Sequence, residues 1–235
     1  MPEAELKKIR RRFYRYLCDL SFETFKTLTI GREKALEHCH LSGEAIKLFN
    51  DYYNQNKSII IVLGHLGNWE WGGNAFSLQC KHQLYVIYHP LTNPFFDSLT
   101  ISMRTRFGSK LIPMKDTFRQ MTKNKPSCTA TAFIADQTAS ADNAHWMTFL
   151  NQDTAVFKGT ELMANRFNYP VVFVNIEKTK RGYYIVKAEN CIENPAETPP
   201  GFISDWHTRI LEKEIIKSPE TWLWSHRRWK HKKVS

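Results

Sequence analysis

Long apolar runs are missing from these 235 residues: no window approaches the ~18 consecutive apolar residues that a membrane span requires. No apolar signal-peptide core follows Met1. The reading from these absences is a soluble, unexported chain. Cysteine is scarce, odd in number and scattered, at Cys18, Cys39, Cys80, Cys128 and Cys191. That excludes a disulfide framework and points to a reducing compartment. No Gly/Ser/Pro-rich linker divides the chain and no internal repeat occurs. There is no Gly-x-Ser-x-Gly, no phosphate loop and no dinucleotide fingerprint, so serine-hydrolase, nucleotide-triphosphatase and dehydrogenase readings lose their usual support. His38 and His40 lack a second ligand pair spaced to complete a metal site, and no cysteine sits in a glycine-rich elbow.

What is present is a folded chain with 42% apolar residues, 13% aromatics and a net charge of +10 from 33 basic and 23 acidic residues. The excess draws polyanions. It gathers at Lys7, Lys8, Arg10, Arg11, Arg12 and Arg15, and again at Arg227, Arg228, Lys230, Lys232 and Lys233. Neither cluster interleaves with aromatics on strands, which argues against a nucleic-acid partner.

Residues 3–28 read as an amphipathic helix, with Leu6, Ile9, Phe13, Leu17, Leu20 and Phe25 on its apolar face. A second helix is expected at 43–55. From Ser58 the pattern changes to β-branched runs at 58–63, 84–88, 110–113, 129–135, 170–176 and 183–187. Helical stretches fall between most of them, at 69–80, 94–107, 115–124 and 158–168, and a final helix runs from Ser204 to Ile216. The expected fold is α/β: one domain over 1–235, a mostly parallel sheet flanked by helices, with a helical part at 1–56 and an α/β core with a basic tail at 57–235. Sites in such folds sit at the carboxyl ends of the strands.

One such end carries Gly64-His-Leu-Gly-Asn-Trp-Glu70. Asn68 reads as a helix N-cap with Glu70 in the first turn. A carboxylate there could hold one nitrogen of His65 and leave the other as a general base towards a hydroxyl, while the helix N-terminus faces developing negative charge. Spacing alone is weak, because His207 and Glu212 repeat it. Those two lie within one continuous helix and point apart, so His207 reads as structural or solvent-facing. Asp136 and Gln137 close another strand on the same sheet edge, where they could orient an acceptor, brace His65 or form a turn.

The block from Gly64 to Gly73 resembles the catalytic segment of the lipid A late acyltransferases. In order along the chain, Tyr88-His-Pro-Leu-Thr-Asn-Pro94, Arg104-Thr-Arg-Phe-Gly108, Ala135-Asp-Gln137 and the Trp- and Arg-rich stretch 219–230 resemble further segments of that family. The resemblance implies transfer of an acyl chain from an acyl carrier protein thioester, with acyl coenzyme A as an alternative donor, to a hydroxyl of a lipid A precursor. It implies His65 as base and Glu70 as its orienting partner, with no acyl-enzyme, no metal and no other cofactor. Asn68, Arg104, Arg106, Asp136 and Gln137 become candidate substrate-binding residues, the two arginines for acceptor phosphates. Trp222, Trp224 and Trp229 become candidates for an acyl groove or an interfacial anchor, with core packing as their commoner fate. The implied location is the cytoplasmic face of the bacterial inner membrane. The family's membrane helix is not found ahead of Met1-Pro2-Glu3, so the expectation is a shortened form or a member held peripherally. Phe157-Lys-Gly-Thr-Glu161 departs from the Phe-Pro-Glu-Gly-Thr block of the wider glycerolipid acyltransferases and leaves Glu161 as a weaker site candidate. Alternative readings are another lipid acceptor, such as a lysophospholipid or amino-acid lipid, and a non-catalytic binder of anionic lipid.

Overall fold

A computed structural model describes residues 1–233. Its centre is a seven-stranded sheet in the order β1-β9-β8-β2-β5-β3-β4. The strands are β1 (Cys39–Leu41), β2 (Ile59–Leu63), β3 (Gln83–Tyr88), β4 (Lys110–Pro113), β5 (Thr129–Ile134), β8 (Val171–Lys180) and β9 (Tyr183–Ile192). All pairings are parallel except β8 with β9. A separate antiparallel pair joins β6 (His145–Phe149) to β7 (Gln152–Val156).

Strand β2 shows why the β-branched runs form the middle layer. Its five side chains are all buried, Ile59, Ile61 and Leu63 on one face and Ile60 and Val62 on the other. The first face packs under α3 (Gly43–Asn54) and α4 (Trp69–Gln79) through Phe49, Tyr52, Trp71 and Phe76. The second packs against α6 (Thr117–Lys123), α7 (Gly159–Phe167) and α8 (Phe202–Lys217) through Met121, Ala164, Ile203, Leu211 and Ile215. A strand apolar on both sides has no other stable place, since each buried branched side chain contributes about 1.5–3 kcal/mol.

The remaining helices are α1 (Glu3–Lys26), α2 (Arg32–His38) and α5 (Pro94–Thr105). The expected apolar face of α1 is only partly used. Phe13, Tyr16 and Leu20 are buried, but Leu6 and Phe25 are exposed. No described helix is long and apolar enough to cross a membrane.

Three elements lie outside the sequence expectation. β1 and α2 are short. The β6–β7 hairpin turns through Leu150 and Asn151, both at positive φ, where a two-residue turn normally shows Asn-Gly or Asp-Gly. Glu212 on α8 secures that turn by accepting the Leu150 N–H at 2.5 Å. The β8–β9 turn, by contrast, uses Arg181-Gly182 with Gly182 at positive φ, as its sequence announces.

The chain between β2 and α4 is pinned from several sides. Tyr16 donates to the Gly67 carbonyl at 2.6 Å, and the Gly67 N–H donates to Thr221 O at 3.0 Å. Gly67 stands at φ +65, and a Cβ there would meet Ile176 O at 2.0 Å. Gly67→Ala combines left-handed strain with a backbone clash, so we expect a loss of about 2–4 kcal/mol. For a chain of this size that is a melting temperature lower by roughly 5–10 °C in a circular-dichroism melt. A melt unchanged by the substitution would show that the loop yields freely and does not depend on this close approach.

Candidate functional site

Register brings the site residues together. Leu63 at the end of β2 lies beside Ile134 at the end of β5. Two residues further along each chain stand His65 and Asp136. The Asp136 carboxylate is buried and accepts three hydrogen bonds. The His65 ring donates from Nδ1 to Oδ1 at 2.6 Å, the His65 backbone N–H to Oδ2 at 2.8 Å, and the Trp222 indole N–H to Oδ2 at 2.7 Å. Burial pushes the Asp136 carboxyl up, but the His65 charge and these donors outweigh it and hold the carboxyl below its ordinary value. A carboxylate only accepts, so Nδ1 carries a proton, and in the neutral imidazole Nε2 is the acceptor nitrogen. That Nε2 lies 3.3 Å from the Gln137 side-chain amide, which donates to it. The Trp69 ring meets the imidazole edge-on at 4.8 Å and fixes its plane.

The partner expected for His65 is corrected by this geometry. The carboxylate that holds the imidazole is Asp136, and Glu70 is engaged elsewhere. Arg104 on α5 takes both Glu70 oxygens, from Nε at 2.9 and 3.2 Å and from Nη2 at 2.6 Å. Burial works against the Arg104 charge, yet the Glu70 pairing outweighs it and raises the guanidinium pKa. The oxygens of Asp136 are therefore taken up by His65 and Trp222. Arg104 is on the site wall as expected, but already paired.

Two other candidates make structural contacts. Asn68 is fully buried, and its side chain accepts from the Trp71 N–H at 2.9 Å and donates to Glu23 Oε2 at 2.8 Å. It is the expected N-cap of α4, and capping consumes it. Arg106 donates through Nη1 to Leu28 O and through Nη2 to Ile30 O at 3.0 Å, which binds the end of α5 to the segment after α1. Glu161 caps α8, accepting from Gly201 N, Ser204 N and the Ser204 hydroxyl.

His65, Trp69, Glu70, Tyr88, Arg104 and Gln137 line one cleft of about 420 Å³. Its volume lies in the range of small-molecule sites. An adjoining, mainly apolar groove of about 280 Å³ shares Ile87, Met114 and Ile134 with it and includes Phe118, Phe133, Phe157 and Met163, with Lys115, Thr117 and Thr160 among its polar residues. Among the described residues no group of three or more His, Cys, Asp or Glu is placed to hold a metal ion.

The residue that sequence reasoning undervalued is Trp222. The stretch 221–223 lies antiparallel to 65–67: Leu223 N donates to His65 O at 3.0 Å, beside the Gly67–Thr221 bond. Trp222 and Trp229 pack on Phe149 as core, and Trp229 donates to Thr154 Oγ1 at 2.8 Å. Arg228, counted in the basic tail, is buried and donates to Ala155 O at 2.7 Å. The tryptophans thus brace the site from behind. The density of Trp and Arg near the end of the sequence was the available sign.

The sequence matches the bacterial lipid A biosynthesis acyltransferase family across residues 1–231. It is 26% identical over 186 residues to a lipid A biosynthesis lauroyltransferase of Escherichia coli strain K12, with 77% of this chain and 58% of that protein covered. A lipid A biosynthesis palmitoleoyltransferase of the same strain is 24% identical over 183 residues, with the same shares covered. A lipid A biosynthesis acyltransferase of Haemophilus influenzae is 26% identical over 180 residues, with 75% and 57% covered. The chain spans less than two thirds of the length of these relatives.

Behind Asp136, His207 on α8 is fully buried among Leu63, Phe173 and Leu211, and burial lowers its pKa to about 4. It is structural, as read from its helix, and not solvent-facing. In the unfolded chain a histidine titrates near its ordinary value, so between about pH 6.5 and 4 the unfolded state binds the extra proton. Folding stability is therefore complete above that window and falls with acidification by about 1.4 kcal/mol per pH unit. Urea unfolding at a series of pH values measures the slope, which His207→Gln should flatten in this window. An unchanged slope in that variant would assign the acid sensitivity to other groups.

Proposed function

The chain belongs to the bacterial lipid A biosynthesis acyltransferase family, and from that premise we propose that it transfers a fatty acyl chain from a carrier thioester to a hydroxyl of a phosphorylated glycolipid, the lipid A precursor. The observation that carries the reading is His65, with Nδ1 committed to a buried carboxylate and Nε2 open to a cleft. An imidazole held so is a general base for a hydroxyl placed where the Gln137 amide now meets it.

In this reading the acceptor hydroxyl loses its proton to His65 Nε2 as its oxygen attacks the thioester carbonyl carbon. The tetrahedral oxyanion then collapses, the C–S bond breaks, and the proton on Nε2 passes to the departing sulfur. One ester forms for each thioester consumed. Asp136 stabilises the transient imidazolium and keeps the ring in one tautomer. The Glu70–Arg104 pair holds the cleft wall in place, so Arg104 is a positioning group here and an anion contact only through hydrogens outside that pair. The adjoining apolar groove is suited to hydrocarbon. The acidic surface expected of an acyl carrier protein is complementary to the net charge of +10. We place the reaction at the cytoplasmic face of the inner membrane.

The test is transfer of radiolabelled acyl chains from carrier-protein thioesters to a lipid A precursor in detergent. Relative to the parent chain, we expect His65→Ala to reduce kcat by at least ~10³-fold and Asp136→Asn by ~10²–10⁴-fold. Glu70→Gln should keep more activity than Asp136→Asn, since it loosens Arg104 and leaves the imidazole held. Full activity in Asp136→Asn together with loss in Glu70→Gln would overturn the assignment of the orienting carboxylate. Transfer that survives His65→Ala would overturn the base.

A further inference from the structure

The outward side of α1 is not the bland polar face of an ordinary surface helix. At 100° per residue, Lys7, Arg11, Tyr14, Cys18, Phe22 and Phe25 fall on one arc of about 80°, opposite Phe13, Tyr16, Leu20 and Glu23, which pack inward. Phe22 is 78% exposed, and Tyr14 and Phe25 are also exposed. A second group stands at the start of α5. Asn93 caps that helix by accepting from the Phe95 and Phe96 N–H groups, which fixes both rings at its tip, and Phe95 is 71% exposed. Leu91 beside them is exposed as well.

The two groups flank one opening. Thr24, about 100° round α1 from Phe25, lines the His65 cleft, and so do Leu91, Asp97 and Thr100 at the start of α5. Arg106 ties the end of α5 to the carbonyls of Leu28 and Ile30 just beyond α1, so the two walls are fastened together. Single exposed apolar residues need no explanation, but aromatic rings gathered on the two helices that wall a cleft mark an interaction surface.

Charge identifies the partner. The amino-terminal half of the α1 stripe carries Lys7 and Arg11, with Arg15 at its margin. On the far flank of α1 a second cleft of about 300 Å³ is lined by Arg12, Arg15, Lys178, Lys180, Arg181 and Lys217, against the carboxylates Glu177, Glu214 and Glu220. Four of these cations are paired, Lys178 and Arg181 with Asp19, Arg12 with Glu220 and Lys217 with Glu214, and Arg15 and Lys180 supply the excess of positive charge. Rings in the carboxyl-terminal half and cations in the amino-terminal half match the two layers of an anionic bilayer surface, acyl boundary and headgroup phosphate.

We propose that the outward stripe of α1 and the tip of α5 form a docking surface for an anionic lipid bilayer, which sets the mouth of the His65 cleft against the membrane. The surface gives residues to the peripheral location proposed above. It requires no chemistry, so binding can be tested apart from acyl transfer.

The experiment is co-sedimentation of the whole chain with vesicles of phosphatidylglycerol mixed with phosphatidylcholine, and with phosphatidylcholine alone. Phe22→Ser with Phe25→Ser, and Phe95→Ser with Phe96→Ser, are compared with Arg11→Gln with Arg15→Gln. All six side chains are exposed, so circular dichroism and melting temperature should match the parent. The parent should pellet with the anionic vesicles, and each phenylalanine pair should weaken that at least tenfold. The arginine pair should remove the preference for anionic lipid, and added salt should do the same in the parent. Vesicle binding indifferent to both phenylalanine pairs would overturn the proposal and leave a solvated basic face. So would a parent dimer, seen by sedimentation velocity, that the phenylalanine changes dissociate while vesicles are ignored, because the occupant would then be a second copy of this chain.

Discussion

The site depends on one buried carboxylate. Removing Asp136 from water is expensive unless every lone pair that faces protein finds a donor. The three donors that meet it come from β2's end and from residue 222, far away in sequence. Each donor also has a structural duty. The His65 N–H fixes the turn after β2, the imidazole fills the cleft floor, and the Trp222 indole locks the returning chain. The carboxylate is therefore satisfied only when the parallel β2–β5 register and the late segment are both in place. Site geometry and completion of the fold are in this sense one event.

A second clamp works from the opposite side. Glu23 on α1 is buried, and burial pushes its carboxyl up against the hydrogen bonds that Tyr184 and Asn68 give it. Through Asn68 it reaches the N-cap of α4, and its backbone carbonyl accepts the Trp71 indole N–H at 2.9 Å. Tyr16, one helical face along, holds the Gly67 carbonyl. The loop that carries His65 is thus bound by α1 in front and by residues 221–223 behind, with Ile176 O pressed against Gly67. Rigid support of that kind positions a base without spending substrate binding on it. It also explains why α1 has only a narrow inward face: five buried side chains, among them the carboxylates of Asp19 and Glu23, suffice to hold it, and the opposite stripe is released for another use.

Much of the fold was legible because β-branched runs buried on both faces leave few alternatives, and the strands at 58–63, 110–113 and 129–135 stand within a residue or two of expectation. The β6–β7 hairpin was not legible, since Asn151 is a weak turn signal without glycine, Leu150 carries none, and Glu212 from another element holds the Leu150 N–H. At the site, His65 could be found from its place after a buried strand, and Asn68 from its capping position. The pairing of His65 could not be read from spacing. Glu70 is near in sequence, but its carboxylate belongs to an arginine 34 residues away, while Asp136 is 71 residues away and becomes adjacent only through sheet register. Local sequence reports which turn a side chain occupies; it does not report which distant cation will claim it.

The division of labour between the two carboxylates has a chemical consequence. Were Glu70 and Asp136 both directed at one imidazole, each would favour the imidazolium, and a ring that holds its proton is no base. The Arg104 pairing removes Glu70 from that competition and leaves a single carboxylate to set the tautomer. It also places a formally neutral pair, and not a second negative charge, on the wall of a cleft proposed to receive an anionic lipid. In the proposed reaction the same arginine serves the imidazole by what it withholds and the substrate by what it cancels, from a place where burial opposes its charge and the Glu70 pairing outweighs that cost.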